Sequence, residues 1–431
     1  RAAELTGGGA GARSSLWERY AIAGGRLRAE RLDIGGGPAS QWAAETVQSL
    51  SAMPEVRILT RTCVFGTYDG GAYGALERVS DHISTPETDT PRQRLWRIVA
   101  RRCIVATGGI ERPIVFPNND RPGIMLAGAV RTYINRFGVA PGKRAIVYTN
   151  NDDGLRAATD RFRSGVTIVA IVDSRETPRP LATETARLTS APRFSAGAIV
   201  NTYGRLGIQA ALVRNDHGET QRISCDLIAM SGGWNPDVAL TTHHSARPSY
   251  DATLCAFVPS VLPRDMQVAG LAAGHLTTSA ALRAGADAGL TAAIETGFAC
   301  TFPNLPTVPD ETFGIEPLWH ALPTKGPARS GKAFVDFQND VTVKDIRLAA
   351  LEGYRSVEHL KRYTTLGMAT DQGKTSNVNA LALMAEQTGN SIPQTGTTLF
   401  RPPVQPVTLG ALAGPHRGKH FKPHRLPPPR R

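Results

Sequence analysis

The sequence has little cysteine and no long apolar segment. Its five cysteines are at least 30 residues apart and form no CxxC pair, a spacing that argues against zinc sites and disulfide frameworks. We therefore expect free thiols, as in a reducing cytoplasm. No uncharged apolar run comes near the roughly 18 residues that a membrane span needs, so the sequence predicts a folded, soluble protein with no transmembrane helix.

Acidic residues are fewer than basic ones, and much of the imbalance lies in one segment. The 431-residue chain has 49 Lys and Arg residues against 37 Asp and Glu, a formal net charge of +12. Residues 415–431 contain six of the basic residues, no acid, and a Pro-Pro-Pro run typical of an extended tail. Because half of the excess lies in this tail, we expect neither a nucleic acid nor a membrane as partner.

Short apolar runs rich in Val and Ile alternate with helical periodicity over the first 300 residues. This alternation predicts an α/β architecture with parallel sheets. The predicted strands are residues 57–62, 103–106, 145–149, 167–172, 227–230 and 267–269. Helices are predicted at 41–50, with Ser40 as N-cap, and at 126–137. After residue 341 the strands stop, and short helices are predicted at 343–352, 356–363 and near 379–386.

The strongest local signal is an apolar run at residues 103–105 that leads into an Ala-Thr-Gly turn at 106–108. In two-domain flavin/nicotinamide oxidoreductases, such a turn ends the strand where the chain passes close to a bound dinucleotide, which requires small residues. The chain resembles that class at other positions too. Residues 24–27 resemble its Gly-Gly segment, Glu18 stands where it has an acid on the adenosine ribose, and residues 268–274 resemble its late Gly-Asp motif.

The late motif and the second phosphate loop depart from that class. Leu271 replaces the Asp that binds the ribityl chain of a flavin, which favours NAD over FAD. At the second phosphate loop, GxGxxG is replaced by Thr-Asn-Asn-Asp-Asp-Gly at 149–154. We expect Asp152 and Asp153 to cap the following helix themselves and to repel a pyrophosphate. The second dinucleotide site is therefore predicted to be empty.

The first GxGxxG is also absent. Residues 7–12 are glycine-rich, but no apolar strand precedes them and no room remains for the usual helix before Trp17. The first residue is Arg rather than Met, and no signal-peptide pattern follows it. We therefore expect a piece of a longer protein whose first dinucleotide-binding domain is incomplete at its N-terminus.

These motifs predict two nested Rossmann-like FAD/NAD(P)-binding domains followed by a small helical domain. The first dinucleotide-binding domain is predicted at 1–138 and 246–300, and the second at 139–245. The helical domain is predicted at 330–392, and residues 393–431 form a linker and basic tail. Pro-rich segments at 302–309 and 401–406 mark the linkers on either side of the helical domain.

Longer and more irregular motifs resemble one particular family. Over residues 24–426 the sequence is similar to the alpha subunit of heterotetrameric sarcosine oxidase. The segments that carry this resemblance are residues 73–78, 93–97, 111–126, 332–345 and 361–377. Subunits of opine oxidases, hydrogen cyanide synthase and dye-linked proline dehydrogenases share the architecture, but we expect fewer of these strings in them.

The resemblance implies an oxidoreductase complex that demethylates the small amine sarcosine to glycine and forms hydrogen peroxide. It implies beta, gamma and delta subunits as partners, a substrate-oxidising flavin in beta, FMN at the alpha/beta interface, and NAD bound by alpha. The folate-binding, aminomethyltransferase-like half that normally follows is not in this chain, so no folate coupling is expected from it. The alternatives are an inactive truncated homologue, a subunit of a related opine- or proline-oxidising flavoprotein, and a free-standing nicotinamide-dependent reductase.

The resemblance and the motifs together name binding residues but no catalytic ones, which we expect on another subunit. The predicted cofactor-binding residues are Glu18, Gly24, Gly25, Arg26, Cys63, Val64, Ala106, Thr107, Gly108, Gly270, Leu271, His275, Thr364, Thr365 and Lys374.

Neither a metal centre nor an iron–sulfur cluster is expected. Related helical domains that hold a cluster need four cysteine thiolates, and no cysteine follows Cys300. The adjacent His243 and His244 have no third ligand at metal spacing, so we interpret them as a surface pair in a loop.

Overall fold

The structure is a computed structural model, and it describes residues 11–162, 165–177, 179–322 and 331–414. Residues 7–10 of the glycine-rich segment and the basic tail from residue 415 lie outside the described residues. Within the described ranges, every helix is too short or too polar to cross a bilayer.

Up to residue 126, strands are the main regular elements of the described chain. These are β1 (Ser14–Trp17), β2 (Asp33–Ile34), β3 (Gly37–Pro38), β4 (Val56–Leu59), β5 (Thr62–Tyr68), β6 (Ala72–Arg78), β7 (Gln93–Val99), β8 (Cys103–Val105), β9 (Gly109–Glu111) and β10 (Ile124–Leu126), with helix α1 (Ala39–Ser51) after β3.

Helices and strands then alternate as far as residue 195, and strands predominate from there to the helix that ends at residue 295. The elements are α2 (Ala127–Phe137), β11 (Arg144–Thr149), α3 (Asp152–Phe162), β12 (Thr167–Asp173), α4 (Pro180–Thr189), β13 (Arg193–Ser195), β14 (Ala198–Tyr203), β15 (Ala210–Arg214), β16 (Thr220–Ser224), β17 (Leu227–Ser231), β18 (Trp234–Pro236), β19 (Ser249–Asp251), β20 (Ala256–Val258), β21 (Met266–Val268) and α5 (Thr278–Glu295). The C-terminal unit contains β22 (Phe334–Asp336), β23 (Val341–Thr342), α6 (Val343–Leu351), α7 (Val357–Thr364), α8 (Asn377–Thr388), α9 (Ile392–Thr395) and α10 (Leu409–Ala413).

The largest sheet has five parallel strands in the order β10-β17-β11-β12-β13. Helices α2 and α3 pack on one of its faces, and the antiparallel strands β14, β15 and β16 pack on the other. Because both faces are covered, β11 and β17 are apolar along nearly their whole length, as parallel strands usually are. Both β10 and α2 precede residue 139, where the sequence analysis begins the second dinucleotide-binding domain.

The remaining long parallel strands form two separate pairs. Strand β1 pairs with β4, and β8 pairs with β21. Leu16, Ile104 and Val268 in these pairs stay only half-buried. Parallel sheets are normally covered on both faces by other elements. In these two pairs of strands, the described residues cover the faces only partly.

The predicted strands and helices are present, with two local errors. The strand predicted at 57–62 is two strands, because the chain turns at residues 60–61 and Arg61 has a φ of 51°. Ser40 is not the N-cap of α1. That helix begins at Ala39, two residues before the predicted start and directly after Pro38, and it has no side-chain cap. The sequence patterns also missed the antiparallel strands β5 to β7 and β14 to β16.

The helical unit is anchored on the α/β part of the chain. The side chain of Val115 lies in the core of the helical unit. Asn119 exchanges two hydrogen bonds with the backbone of Phe334, at 2.8 and 2.9 Å. Asn379 in α8 is fully buried and donates to the carbonyl of Pro113 at 2.8 Å. The two parts of the chain therefore pack as one body at this contact.

We predict that Asn379→Ala lowers the free energy of unfolding by about 1–3 kcal/mol, since it leaves the buried carbonyl of Pro113 without its donor. Urea denaturation measures this change. Asn390→Ala is the matched control, because Asn390 follows the same helix but its side chain is exposed. Equal stabilities for the two variants would contradict this account of the contact.

Candidate functional site

Two of the segments predicted to bind a dinucleotide meet at one sheet edge. Strands β8 and β21 are parallel neighbours, so their carboxyl ends lie side by side. The amide of Ala269 donates to the carbonyl of Val105 at 3.0 Å. Gly108 and Gly270, just beyond these strand ends, have φ values of 79° and 67°, which side chains rarely adopt. The structure thus brings together the Ala-Thr-Gly turn and the late motif.

Asp237 holds the Ala-Thr-Gly turn in place, and the sequence analysis did not identify it. Its amide donates to the carbonyl of Gly108 at 2.9 Å, and its carbonyl accepts from the hydroxyl of Thr107 at 3.1 Å. Its carboxylate forms an ion pair with the Lys374 ammonium at 3.2 Å. The feature of the sequence that could have identified Asp237 is its position directly after the Trp-Asn-Pro sequence of β18. The ion pair with Asp237 places Lys374 of the helical unit beside the Ala-Thr-Gly turn.

Cys63 and Val64 lie on β5, near the same turn. Val64 packs against the apolar cluster that contains Val105. Burial raises the pKa of the Cys63 thiol, while the nearby charges of Arg19 and Lys374 act in the opposite direction. The Cys63 thiol is therefore close enough to Lys374 to be influenced by its charge.

Glu18 lies at the carboxyl end of β1, where an acid on the ribose is expected. Its backbone is fixed by a hydrogen bond to the carbonyl of Leu59, and its Oε1 accepts from the amide of Tyr20 at 3.0 Å. Gly24 and Gly25 follow with φ values of 150° and 51°. Their positive φ values account for glycine at both positions.

Arg26, Leu271 and His275 are three further predicted binding residues with different surroundings. The Arg26 guanidinium pairs with Glu30 and Asp153 and lies 4.6 Å from the ring centroid of Trp234. It is thus directed toward the second dinucleotide-binding domain. The His275 side chain is exposed, while Leu271 packs against the backbone of β9.

The three predicted cofactor-binding residues of the helical unit, Thr364, Thr365 and Lys374, make polar contacts within the chain. The Thr364 hydroxyl donates to the carbonyl of Leu360 at 2.7 Å, and the Thr365 hydroxyl donates to the carbonyl of Thr364 at 2.6 Å. Lys374, paired with Asp237, borders a cavity of about 40 Å³. The residues lining this cavity include Asn235, Pro236, Asp237, Phe257, Lys374, Asn377, Thr398 and Phe400.

At the second phosphate loop, the expectation that Asp152 and Asp153 cap α3 is wrong. Asn151 caps it, because its Oδ1 accepts from the amides of Asp153 at 3.0 Å and Gly154 at 3.3 Å. The Asn151 amide group donates to the carbonyl of Ser231 at 3.0 Å, so its side chain is held in position. The two aspartates are free to form ion pairs instead.

Asp152 joins the phosphate loop to residues 312–316. Its carboxylate accepts from Arg175 at 2.6 Å and from the amide of Gly314 at 2.7 Å. Arg175, which is fully buried, also donates to the carbonyl of Gly314 at 3.0 Å. Asn150 donates to the carbonyl of Glu316 at 2.7 Å. The chain's own backbone thus covers the loop where a pyrophosphate binds in other members of this fold class.

Asp153 is the centre of a second buried ionic cluster. It pairs with Arg26 and with Arg131 (3.1 Å), and its other oxygen accepts from the indole of Trp234 at 3.0 Å. Arg131 also pairs with Asp160 at 2.8 Å. The arginines compensate the negative charge that was expected to repel a phosphate. The cluster connects the segment after β1 with the start of α3.

Glu111, at the end of β9, is a buried carboxyl beside this cluster. Its Oε2 accepts from the amide of Gly128 at 2.7 Å, and its Oε1 has no hydrogen-bond partner among the described residues. Burial raises the pKa of Glu111 to about 7, and the nearby Asp153 charge adds to the effect. The Glu111 carboxyl therefore binds a proton more readily than an exposed glutamate does.

The interpretation of His243 and His244 as a surface pair is wrong for His243. Its Nδ1 accepts from the amide of Thr67 at 3.1 Å, so this histidine supports β5. Burial lowers the pKa of His243 to about 4, and the charges of His244 and Lys374 contribute. The neutral imidazole of His243 accepts the hydrogen bond from Thr67. His244 makes a different contact, because its Nδ1 lies 3.6 Å from the carboxylate of Asp69.

The fold agrees with solved structures of oxidoreductases. L-Proline dehydrogenase from P. horikoshii aligns with a TM-score of 0.72 and 18% identity, covering 96% of this chain and 77% of that one. Thioredoxin reductase from T. acidophilum aligns with a TM-score of 0.50 and 14% identity, covering 68% and 92%. The chain therefore has the predicted α/β fold of the FAD/NAD-binding oxidoreductases, followed by a helical unit.

Sequence comparison identifies relatives of the chain. A model of the Sarcosine oxidase A3 domain matches residues 330–415. The chain is 44% identical to sarcosine oxidase subunit alpha of Rhizobium meliloti (strain 1021) over 99% of its own length. It is thus a relative of the sarcosine oxidase alpha subunits over the part that it spans, which confirms the resemblance. That part is 42–44% of the length of the sarcosine oxidase alpha subunits that it matches.

We predict that Glu111→Gln changes how stability depends on pH. The pKa of Glu111 is about 7 in the folded chain and lower in the unfolded chain, so the folded state holds the extra proton. The stabilisation that comes from this bound proton is fully present below the pKa of Glu111 in the unfolded chain, and it is lost as pH rises through 7. Between about pH 5 and pH 8, stability should shift in favour of the Gln variant by about 3 kcal/mol.

Urea denaturation at several pH values tests this expectation. Glu55→Gln is the control, because Glu55 is exposed before β4. A constant difference between wild type and Glu111→Gln over this range would show that Glu111 does not take up a proton on folding.

We predict that Arg175→Leu destabilises the chain by about 3–5 kcal/mol, because it leaves two buried carboxylates, Asp152 and Asp173, without their arginine. Thermal or urea unfolding measures the loss. Arg205→Leu removes an exposed arginine and should leave stability unchanged. A small loss in Arg175→Leu would mean that residues 312–316 are held by other contacts.

Proposed function

We propose that this chain is the nucleotide-binding part of an alpha subunit in a sarcosine-oxidising complex. The complex converts sarcosine to glycine with formation of hydrogen peroxide, and this chain contributes an NAD site and one side of an FMN site. The main observation behind this proposal is that the Ala-Thr-Gly turn and Lys374 both contact Asp237. The chain in which they do so is a relative of the sarcosine oxidase alpha subunits.

The residues at the carboxyl ends of β1, β8 and β21 fit a dinucleotide. The positions of a Cβ at Gly25 and Gly108 have no other atom within 4 Å, so a ligand can approach the backbone there. Glu18 at the end of β1 provides a carboxylate for ribose hydroxyls. Leu271 offers no hydrogen bond to a ribityl chain, which supports NAD over FAD.

The residues around Lys374 do not hold FMN by themselves. The cavity of about 40 Å³ is far smaller than the roughly 300 Å³ or more of a typical cofactor pocket. Lys374 is already paired with Asp237 and its side chain is only 10% exposed, so a bound flavin would need further contacts from a partner subunit. A bound flavin supplies the electron acceptor for amine oxidation. This chain supplies one wall, and Asp237 positions Lys374 in it.

We further propose beta, gamma and delta subunits as partners and the cytoplasm as location. The relatives are named as alpha subunits, which supports the partners. The five cysteines are free thiols, which supports a reducing compartment. The structural likeness to a proline dehydrogenase supports an alternative, a proline- or opine-oxidising complex.

Nucleotide analysis tests the proposal. The chain is purified alone and together with a sarcosine oxidase beta subunit, and the released nucleotides are identified by mass spectrometry. We expect NAD from the lone chain and FMN only from the complex. No nucleotide in either sample would overturn the proposal. Flavin bleaching by proline or an opine, but not by sarcosine, would favour the alternative complex.

We predict that Glu18→Gln weakens NAD binding by about tenfold, because a neutral amide is a poorer acceptor for ribose hydroxyls than a carboxylate. Titration calorimetry on the purified chain measures the dissociation constant. Glu55→Gln, a change at an exposed carboxylate of the same unit, should bind NAD as wild type does. Equal affinities for all three proteins would exclude Glu18 from the site.

A further inference from the structure

Apolar side chains are exposed together where the segment after β1 meets α2. Tyr20, Ile22, Tyr133, Phe137 and Val139 are 45–58% exposed. We refer to these five residues, with Arg19, Arg28 and Arg136, as the α2 patch. Single exposed apolar residues are normal on a protein surface, but a cluster of this kind marks an interaction site.

The members of the α2 patch contact one another. The Arg136 guanidinium lies 5.6 Å from the ring centroid of Tyr20 and 5.0 Å from that of Phe137. The rings of Tyr133 and Phe137 are 6.2 Å apart. Arg28 donates to the carbonyl of Ile22 at 3.3 Å. The patch is therefore continuous from residue 20 to residue 137.

Its three arginines have no carboxylate partner. In the described part of the chain, no carboxylate oxygen lies within 4.0 Å of Arg19, Arg28 or Arg136. The Nε of Arg136 is buried and has no hydrogen-bond partner there. Burial lowers the pKa of Arg28, the charge of Arg136 adds to this effect, and the charge of Glu18 acts in the opposite direction. Among the described residues, the three arginines therefore leave an excess of positive charge at the patch, with Glu18 as a nearby negative charge.

The base of the patch is rigid. Arg131, one turn before Asn135 in α2, is fixed by its ion pairs with Asp153 and Asp160. Asn135 donates to the carbonyl of Ala29 at 2.8 Å, which ties α2 to the segment after β1. The aromatic rings are therefore presented by a preorganised backbone, which lowers the entropic cost of binding.

We propose that the α2 patch binds a partner subunit through a surface that combines apolar side chains with carboxylates. The unpaired arginines require an acidic partner, and Tyr, Phe and Arg are the residues that dominate stable protein interfaces. The inference rests on the proposed function, because it assumes that the chain is part of a complex. It assigns a docking surface formed by α2 and the segment after β1.

The test uses the full chain and the purified beta, gamma and delta subunits of sarcosine oxidase. Binding of each subunit is measured by sedimentation velocity and by calorimetry at low and high salt. For one of them, Arg136→Glu should weaken binding by about tenfold or more, and Arg136→Lys should retain most of it. Wild-type binding of that subunit should weaken at high salt, because the contact is partly ionic.

Arg222→Glu is the matched control, because Arg222 is also an exposed arginine beside an aromatic ring but lies outside the patch. Its guanidinium is 4.5 Å from the ring centroid of Tyr203. Melting temperatures establish that each variant is folded. Phe137→Ser, which keeps all three arginines, is the second test variant and should weaken the same interaction.

The outcomes separate this inference from the proposed function. If wild type binds a subunit and both Arg136→Glu and Phe137→Ser bind it equally well, the inference is overturned and the proposed function stands. If wild type binds none of the subunits, both are overturned. If the patch variants abolish only self-association of the chain, the partner is a second copy and the inference is also overturned.

Discussion

Two adjacent buried aspartates, Asp152 and Asp153, determine how the separate parts of the chain fit together. Each pairs with arginines from elsewhere in the sequence: Asp152 with Arg175, and Asp153 with Arg26 and Arg131. A buried carboxylate without its partner costs several kcal/mol, so only one arrangement satisfies both residues. The segment after β1, helix α2 and residues 312–316 are all positioned by this requirement.

This use of charge explains why the second dinucleotide-binding domain keeps its fold without its phosphate loop. The glycines that would admit a pyrophosphate are replaced by Asn and Asp side chains, which bind neighbouring strands and the backbone of residues 312–316. The position that binds a ligand in related folds is therefore structural in this chain. The small turn residues are retained in the first domain, which is where we propose that a nucleotide binds.

Asp237 has a comparable role at the proposed site. Its backbone holds the Ala-Thr-Gly turn and its carboxylate holds Lys374, so one residue joins the first domain to the helical unit. The turn and Lys374 were each predictable, the turn from an apolar run ending in small residues and Lys374 from family resemblance. Their proximity was not predictable, because Asp237 and Lys374 are 137 residues apart in sequence.

The sequence by itself determined the buried strands and main helices, the Ala-Thr-Gly turn and the relationship to sarcosine oxidase alpha subunits. Those properties depend on local periodicity, local turn chemistry and contiguous motifs. Tertiary structure alone decided which charges pair, that Asn151 rather than an aspartate caps α3, that Arg26 turns toward Asp153, and that His243 supports β5. These contacts join residues distant in sequence, and such contacts form only when packing has removed the competing solvent.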